Sequence, residues 1–157
     1  MSMKRRTRRF SWAVAEDWNS TLQVEETTAD NEKVISVPAD TDWKVLWIWV
    51  EYTSNATVGN RKLLIELRDS GDDVIMQLRN EVLQPASKTY YYAYGVDLPN
   101  DTEVMDTDYV QHALPSNIVL PELFDIHFVD EAGITSDSAG EDLIIQMMVN
   151  DRMRIDT

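Results

Sequence analysis

Two histidines, His112 and His127, and no cysteine occur among the 157 residues. A zinc centre needs three or four converging ligands, typically His or Cys, and that supply is missing here. His127 lies mid-segment beside Asp125 and reads as a satisfied surface histidine; His112 falls in loop sequence. A Ser-His-Asp nucleophile would need a strained elbow, yet no G-x-S-x-G stretch is present. The 28 acidic residues make carboxylate pairs uninformative without their separation in space. Asp69-x-Gly71-Asp72-Asp73 and Asp137-x-x-x-Glu141-Asp142 offer oxygens to a hard cation. Neither has the alternate-position spacing of a calcium loop, so both read as ordinary acidic turns. Asn19-Ser20-Thr21, Asn55-Ala56-Thr57 and Asn100-Asp101-Thr102 match the glycosylation acceptor pattern, but without a secretion signal they read as chance. No glycine-rich phosphate loop exists. No catalytic residue, cofactor or metal site is therefore assigned, and a structural or binding role is expected.

What remains is charge and aromaticity. Lys4, Arg5, Arg6, Arg8 and Arg9 stand in the first nine positions. Positions 10 to 157 hold nine basic residues against 28 acidic ones, a net of −19. Such a body repels nucleic acid and acidic membranes, whereas the basic arm has the opposite preference. With Trp12 and Trp18, the arm is the expected partner contact, either with an acidic surface of a neighbouring copy or with nucleic acid. The alternative is a solvated terminus. Five Trp and six Tyr exceed what one core usually needs. The ladders Trp43–Trp49 and Tyr90, Tyr92, Tyr94 read as core, subunit interface or sugar platform.

The elements that position these residues are strands. Trp43 to Tyr52 is apolar except for Lys44 and Glu51, and its aromatic and β-branched content predicts a long strand. Alternation puts Trp43, Val45, Trp47 and Trp49 on one face and Leu46, Ile48, Val50 and Tyr52 on the other. Ser54 to Asn60 reads as a polar turn in which Gly59-Asn60 favours left-handed angles. Arg61 to Asp69 is then expected to return as the second strand of a central hairpin. Further strands are expected at Thr21–Glu26, Lys33–Val37, Val74–Arg79, Lys88–Val96, Asn117–Leu120, Leu123–Asp130 and Asp142–Asn150. Phe10–Asn19 is an edge strand or partner-facing segment, and Glu103–Ala113 a loop with at most one turn of helix. About eight strands with Asp-, Gly- and Pro-rich connections predict an all-β fold, a two-sheet antiparallel sandwich of the jelly-roll kind. The boundaries are an arm over 1–18 and a sandwich over 19–157. No apolar run approaches the roughly 20 residues that span a bilayer, and Phe10–Val14 is too short for a signal-peptide core, so a cytoplasmic origin is expected.

Six short stretches carry a resemblance. Pro38 to Val45 reads P-x-x-x-x-W-x-V, Ala56 to Arg61 reads A-T-V-G-N-R, and Leu63 to Leu67 is aliphatic. Val119–Phe128, Ile134–Asp142 and Leu143–Val149 complete the pattern. Over residues 33 to 150 the chain resembles small all-β proteins encoded in the structural gene clusters of tailed bacteriophages. In those chains the first strand opens P-x-G, where this one has Pro38-Ala39-Asp40. The resemblance implies a non-enzymatic virion component made in the host cytoplasm: a head decoration (cement) protein bridging major capsid subunits, or a neck or tail subunit. It implies major capsid or other virion proteins as partners, a dimer or trimer, and no membrane. The rival from another class is a carbohydrate-binding sandwich on a receptor-binding appendage.

Overall fold

The structure, a computed structural model, describes residues 18–25, 32–99, 108–131 and 141–154. Ten strands follow in order: β1 (Asn19–Glu25), β2 (Glu32–Ser36), β3 (Thr41–Thr53), β4 (Leu63–Arg68), β5 (Val74–Arg79), β6 (Thr89–Val96), β7 (Tyr109–Leu114), β8 (Val119–Leu120), β9 (Asp125–Asp130) and β10 (Asp142–Met153). One sheet runs β1-β10-β3-β6-β7, with β8 beside the start of β3; the other runs β2-β9-β4-β5. The pairs β1·β10, β2·β9, β3·β6 and β4·β5 are all antiparallel. With β7 and β8 set aside as an insertion, these are the first-with-last, second-with-seventh, third-with-sixth and fourth-with-fifth pairings of a rolled hairpin. The fold is therefore a jelly roll. The expected antiparallel sandwich holds for the eight rolled strands, whereas β7 lies parallel to β6. Tyr109–Leu114 thus corrects the loop expected over 103–113, and it places His112 in a strand.

The expected central hairpin does not form. β3 and β4 belong to different sheets, so residues 54–62 cross from one layer to the other. Both strands present apolar residues inward, and pairing them side by side would leave half of each unburied. Burial across layers is satisfied instead by β10 and β6 around β3, and by β9 and β5 around β4. Ile48, Val50, Tyr52, Leu143, Ile145 and Met147 from one sheet meet Leu63, Ile65, Leu67, Ile126 and Phe128 from the other. Apart from the β4–β5 hairpin, the jelly roll is consequently built mostly from contacts distant in sequence.

A β-bulge decides which way the tryptophans face. Met148 pairs with Trp47 and Val149 with Val45, leaving Leu46 as the extra residue on β3. An unpaired residue reverses the alternation beyond it. Trp43 and Val45 therefore face the core together with Ile48, Val50 and Tyr52, while Trp47 and Trp49 face outward and are only half-buried. The uniform Trp face read from the sequence is split. Asp40, where the resembling chains have glycine, adopts φ 57. The turn into β3 needs a left-handed residue, a conformation that Gly adopts freely and Asp tolerates.

Candidate functional site

The outer surfaces of the two sheets differ in chemistry. Outside the β2-β9-β4-β5 sheet, Glu66 accepts hydrogen bonds from Arg68 Nη2 (2.5 Å), Arg68 Nε (3.0 Å) and Gln77 Nε2 (2.7 Å). The bond from Arg68, with help from Gln77, holds the Glu66 carboxyl below the usual carboxylate range. Arg79 continues the ladder to Gln77 and Glu131. His127 lies between Val34 and Glu66 in register, but it is buried and its Nδ1 finds no hydrogen-bond partner, which corrects the satisfied surface histidine. This surface carries a ladder of paired charges, with Val34 and Val74 exposed at its edges.

Outside the β1-β10-β3-β6-β7 sheet the character is apolar. Register places Leu22, Met148, Trp47, Gly95 and Ala113 in one row across all five strands. At about 4.8 Å between strands, that row is roughly 19 Å long. Val24, Gln146, Trp49, Ala93 and Gln111 form the next row, and Ile144, Glu51, Tyr91 and Tyr109 the one after. Leu22 is 54% exposed, Val24 48% and Met148 36%. The aromatic rings pack on one another: Trp47 stacks on Trp49 with centroids 6.1 Å apart, and Trp49 lies 5.7 Å from both Tyr91 and Tyr109. Ring-on-ring contact fixes these side chains in place, so the patch is preorganised for contact. Trp47 and Trp49 thus lie half-buried on the outer surface rather than in the core, and the feature that separates them from Trp43 is the bulge at Leu46, which only the strand register reveals. The Tyr90, Tyr92, Tyr94 ladder is the reverse case. All three face the core, so they are unavailable to a sugar, which corrects that reading.

Of the arm residues, Lys4, Arg5, Arg6, Arg8, Arg9 and Trp12 lie outside the described residues, and Trp18 is described. The Arg152 guanidinium sits 4.7 Å over the Trp18 ring. Arg152 is held in turn by Asp42, through Nε at 3.1 Å and Nη2 at 3.0 Å, and Asp42 also receives Arg154 Nε at 2.7 Å. A buried carboxylate therefore orients the cation that grips the root of the arm. Substituting Asp42→Ala should cost about 1–3 kcal/mol of stability, since hydrogen bonds to a charged group are lost. It should also speed amide exchange at Asn19 to Thr21; unchanged exchange there would mean that Arg152 holds Trp18 unaided.

The connection 54–62 carries the second organised cluster. Arg61 is fully buried. Its Nε donates to Glu141 Oε1 at 2.5 Å, Nη2 to Asn55 Oδ1 at 2.6 Å and to Thr57 O at 3.3 Å, and Nη1 to Gly59 O at 3.1 Å. Asp130 Oδ2 lies 3.8 Å from Nε. The A-T-V-G-N-R stretch thus wraps a loop around its own arginine. Arg61 and Gln84 also exchange backbone hydrogen bonds, and Gln84 accepts one from Tyr92 Oη. Sequence reading missed this residue, although an arginine closing a small polar link was its signal. Glu141, a candidate calcium oxygen, is committed to Arg61. Asp69 Oδ1 instead accepts the amides of Gly71 and Asp73, as an ordinary turn does. Asn55, a formal glycosylation acceptor, is buried in the cluster. The arrangement neutralises and locks a crossover; it brings no nucleophile next to a base.

No protein-family model matches the sequence, and no curated protein matches it. Among solved structures, similarity is found to a chain from the structure of the infectious bursal disease virus Gx strain, at 11% identity and a TM-score of 0.34. The match covers 83% of this chain and 32% of that one, so this chain spans about a third of its length. A TM-score of that size does not establish a shared topology, and function has to be read from this chain's own geometry.

Proposed function

We propose that this chain is a non-enzymatic structural subunit of a tailed-bacteriophage particle, bound to the head as a decoration protein that bridges major capsid subunits. The observation that carries this reading is the contrast between the two outer surfaces. One sheet carries a ladder of paired charges on Glu66, Arg68, Arg79 and Glu131 beside isolated exposed Val34 and Val74, while the other offers stacked Trp47, Trp49, Tyr91 and Tyr109 beside exposed Leu22, Val24 and Met148. A contiguous apolar patch of this kind, preorganised and rimmed by Lys44, Glu51 and Asp142, suits a protein partner. Jelly rolls serve as capsid and lectin domains, so the fold is compatible with the role without specifying it. The acidic body suits a particle exterior, away from packaged DNA.

The test is co-sedimentation of the purified full chain with heads that lack decoration. Saturable binding is expected, weakened at least about tenfold by Trp49→Ser, because aromatic anchors dominate interface energies. Absence of binding to heads, with antibody labelling at the neck or tail of intact particles, would move the subunit there instead. The position of Trp49 between Tyr91 and Tyr109 supports a second reading, a carbohydrate platform. Glycan-array binding that is lost in Trp49→Ser would favour it over the capsid role.

A further inference from the structure

We infer that the free edge of β5 takes an added strand, an extended apolar segment of a partner protein. The guest lies antiparallel to β5 and sinks alternate side chains into the groove between the sheets. That groove includes neither Trp47 nor Trp49, so the contact is separate from the aromatic patch and goes beyond the capsid reading.

The number of strands in each layer opens the groove. A cleft lined by Gln23 and Val24 on one side and Val34 and Ile35 on the other sets β1 across from β2. Counting inward from that flank, β10 faces β9, β3 faces β4, and β6 with β8 faces β5. β7 then has no strand opposite it, and β5 is the last strand of its sheet. The space left there is a cavity of about 420 Å³, walled by Leu67, Ile75 and Met76 from one sheet and by Pro115, Ile118 and Val119 from the other. Its lips are apolar, with Ile75 52% and Val119 43% exposed. The opposite flank is tied instead by Lys33 and Glu25, 3.8 Å apart.

The backbone selects a strand as the guest. In an antiparallel pair, alternate residues bond across and the others point their N–H and C=O groups the other way. Met76–Arg79 pairs regularly with β4, and among the described residues its outer side meets no strand. Lys or Pro commonly guards such an edge. Val74–Arg79 has neither, its Arg79 is held by Gln77 and Glu131, and the bulge at Ile75 affects only its beginning. A peptide strand supplies both hydrogen bonds for the edge and apolar side chains for the groove. A second copy offering its own β5 would bring its own β7 into the same space. Charge sets the guest's polarity. At the start of β5, Asp69, Asp72 and Asp73 stand against one cation, Arg68. A basic residue at the C-terminal end of an antiparallel guest meets that acidic turn.

The probe is a synthetic peptide, acetyl-Ser-Val-Thr-Ile-Thr-Val-Lys-Lys-amide, titrated by calorimetry into the full chain up to about 1 mM. Saturable binding of one peptide per chain is expected. Ile75→Asp and Val119→Asp change exposed lips, and each should weaken binding at least about tenfold, with circular dichroism confirming the fold. Trp49→Ser should bind the peptide as the wild type does, so failure here is distinguishable from failure to bind heads. Two forms of the peptide, N-methylated either at Val and Ile or at Thr, should differ: one loses binding and the other keeps it, because only one set of amides faces β5. Glutamate in place of both peptide lysines should also weaken binding. Absence of saturable binding overturns the inference, as does equal behaviour of the two methylated forms or binding unchanged in both lip variants. Self-association of the wild type that is lost in Ile75→Asp would give the groove to a second copy, and would also overturn it.

Discussion

Replacing Arg61 by alanine is expected to destabilise the protein by about 3–5 kcal/mol, the range seen when one partner of a buried ion pair is removed. The reason lies in what stays behind. Glu141 is fully buried, and Asp130 stands 3.8 Å from the guanidinium. Without it, the buried Glu141 carboxylate loses the cation it is bonded to, and Asp130 loses a nearby one. The oxygens of Asn55, Thr57 and Gly59 also lose the guanidinium as a donor, Asn55 Oδ1 keeping the Thr57 amide, so the crossover from β3 to β4 is less tightly wrapped. For a chain of this size, each kcal/mol lowers the melting temperature by roughly 2–4 °C, so a drop on the order of 10 °C should appear by calorimetry. Arg61→Lys should recover only part of it, because an ammonium cannot reach four acceptors in the plane of a guanidinium. A loss below about 1 kcal/mol for Arg61→Ala would show that the cluster is solvated rather than sealed.

Alkaline unfolding should be steep. Tyr52, Tyr92 and Tyr94 are fully or almost fully buried, and burial pushes each phenol well above its ordinary value. At Tyr52 the carboxylates of Asp130 and Glu141 push further in the same direction, with Arg61 opposing them. In the unfolded chain these phenols ionise near pH 10. Below that pH both states keep the protons and the contribution is complete. Above it the unfolded state releases protons that the folded state retains, so stability falls as pH rises. Three such groups give a slope of roughly 4 kcal/mol per pH unit, or about 8 kcal/mol by pH 12, comparable to the whole stability of a typical domain. Tyr94→Phe offers the sharpest check. Tyr94 Oη has no hydrogen-bond partner. Its removal should therefore leave stability at pH 7 unchanged or slightly higher, while reducing the alkaline slope by about a third. A slope identical to that of the wild type would mean that Tyr94 does not control the transition.

Strand identity was largely legible from residue type and alternation. The β-branched and aromatic runs at Lys33–Val37, Val74–Arg79 and Asp142–Asn150 became strands close to where the pattern put them. Over Leu123–Asp130 the alternation turns Phe124, Ile126 and Phe128 to one side, and all three pack into or against the core, because alternation on a half-buried strand is a direct record of which side is covered. β7 was less legible: Tyr109–Leu114 sits at an edge, and its pairing to β6 supplies what its own sequence lacks.

By itself, then, the sequence determined the class of fold, the acidic body, the basic arm and the surplus of aromatic side chains. Local chemistry suffices for those properties, since strand preference, turn residues and charge are features of short stretches. Tertiary structure decided which aromatics are available. The extra residue at Leu46 turns Trp47 and Trp49 outward, while the roll of the sheets closes over Tyr90, Tyr92 and Tyr94. It likewise sent β3 and β4 into opposite layers and brought Glu141 to Arg61 across 80 positions of chain. The physical reason is common to all three. Strands pair and sheets pack through contacts remote in sequence, and a one-residue change of register reverses every face beyond it.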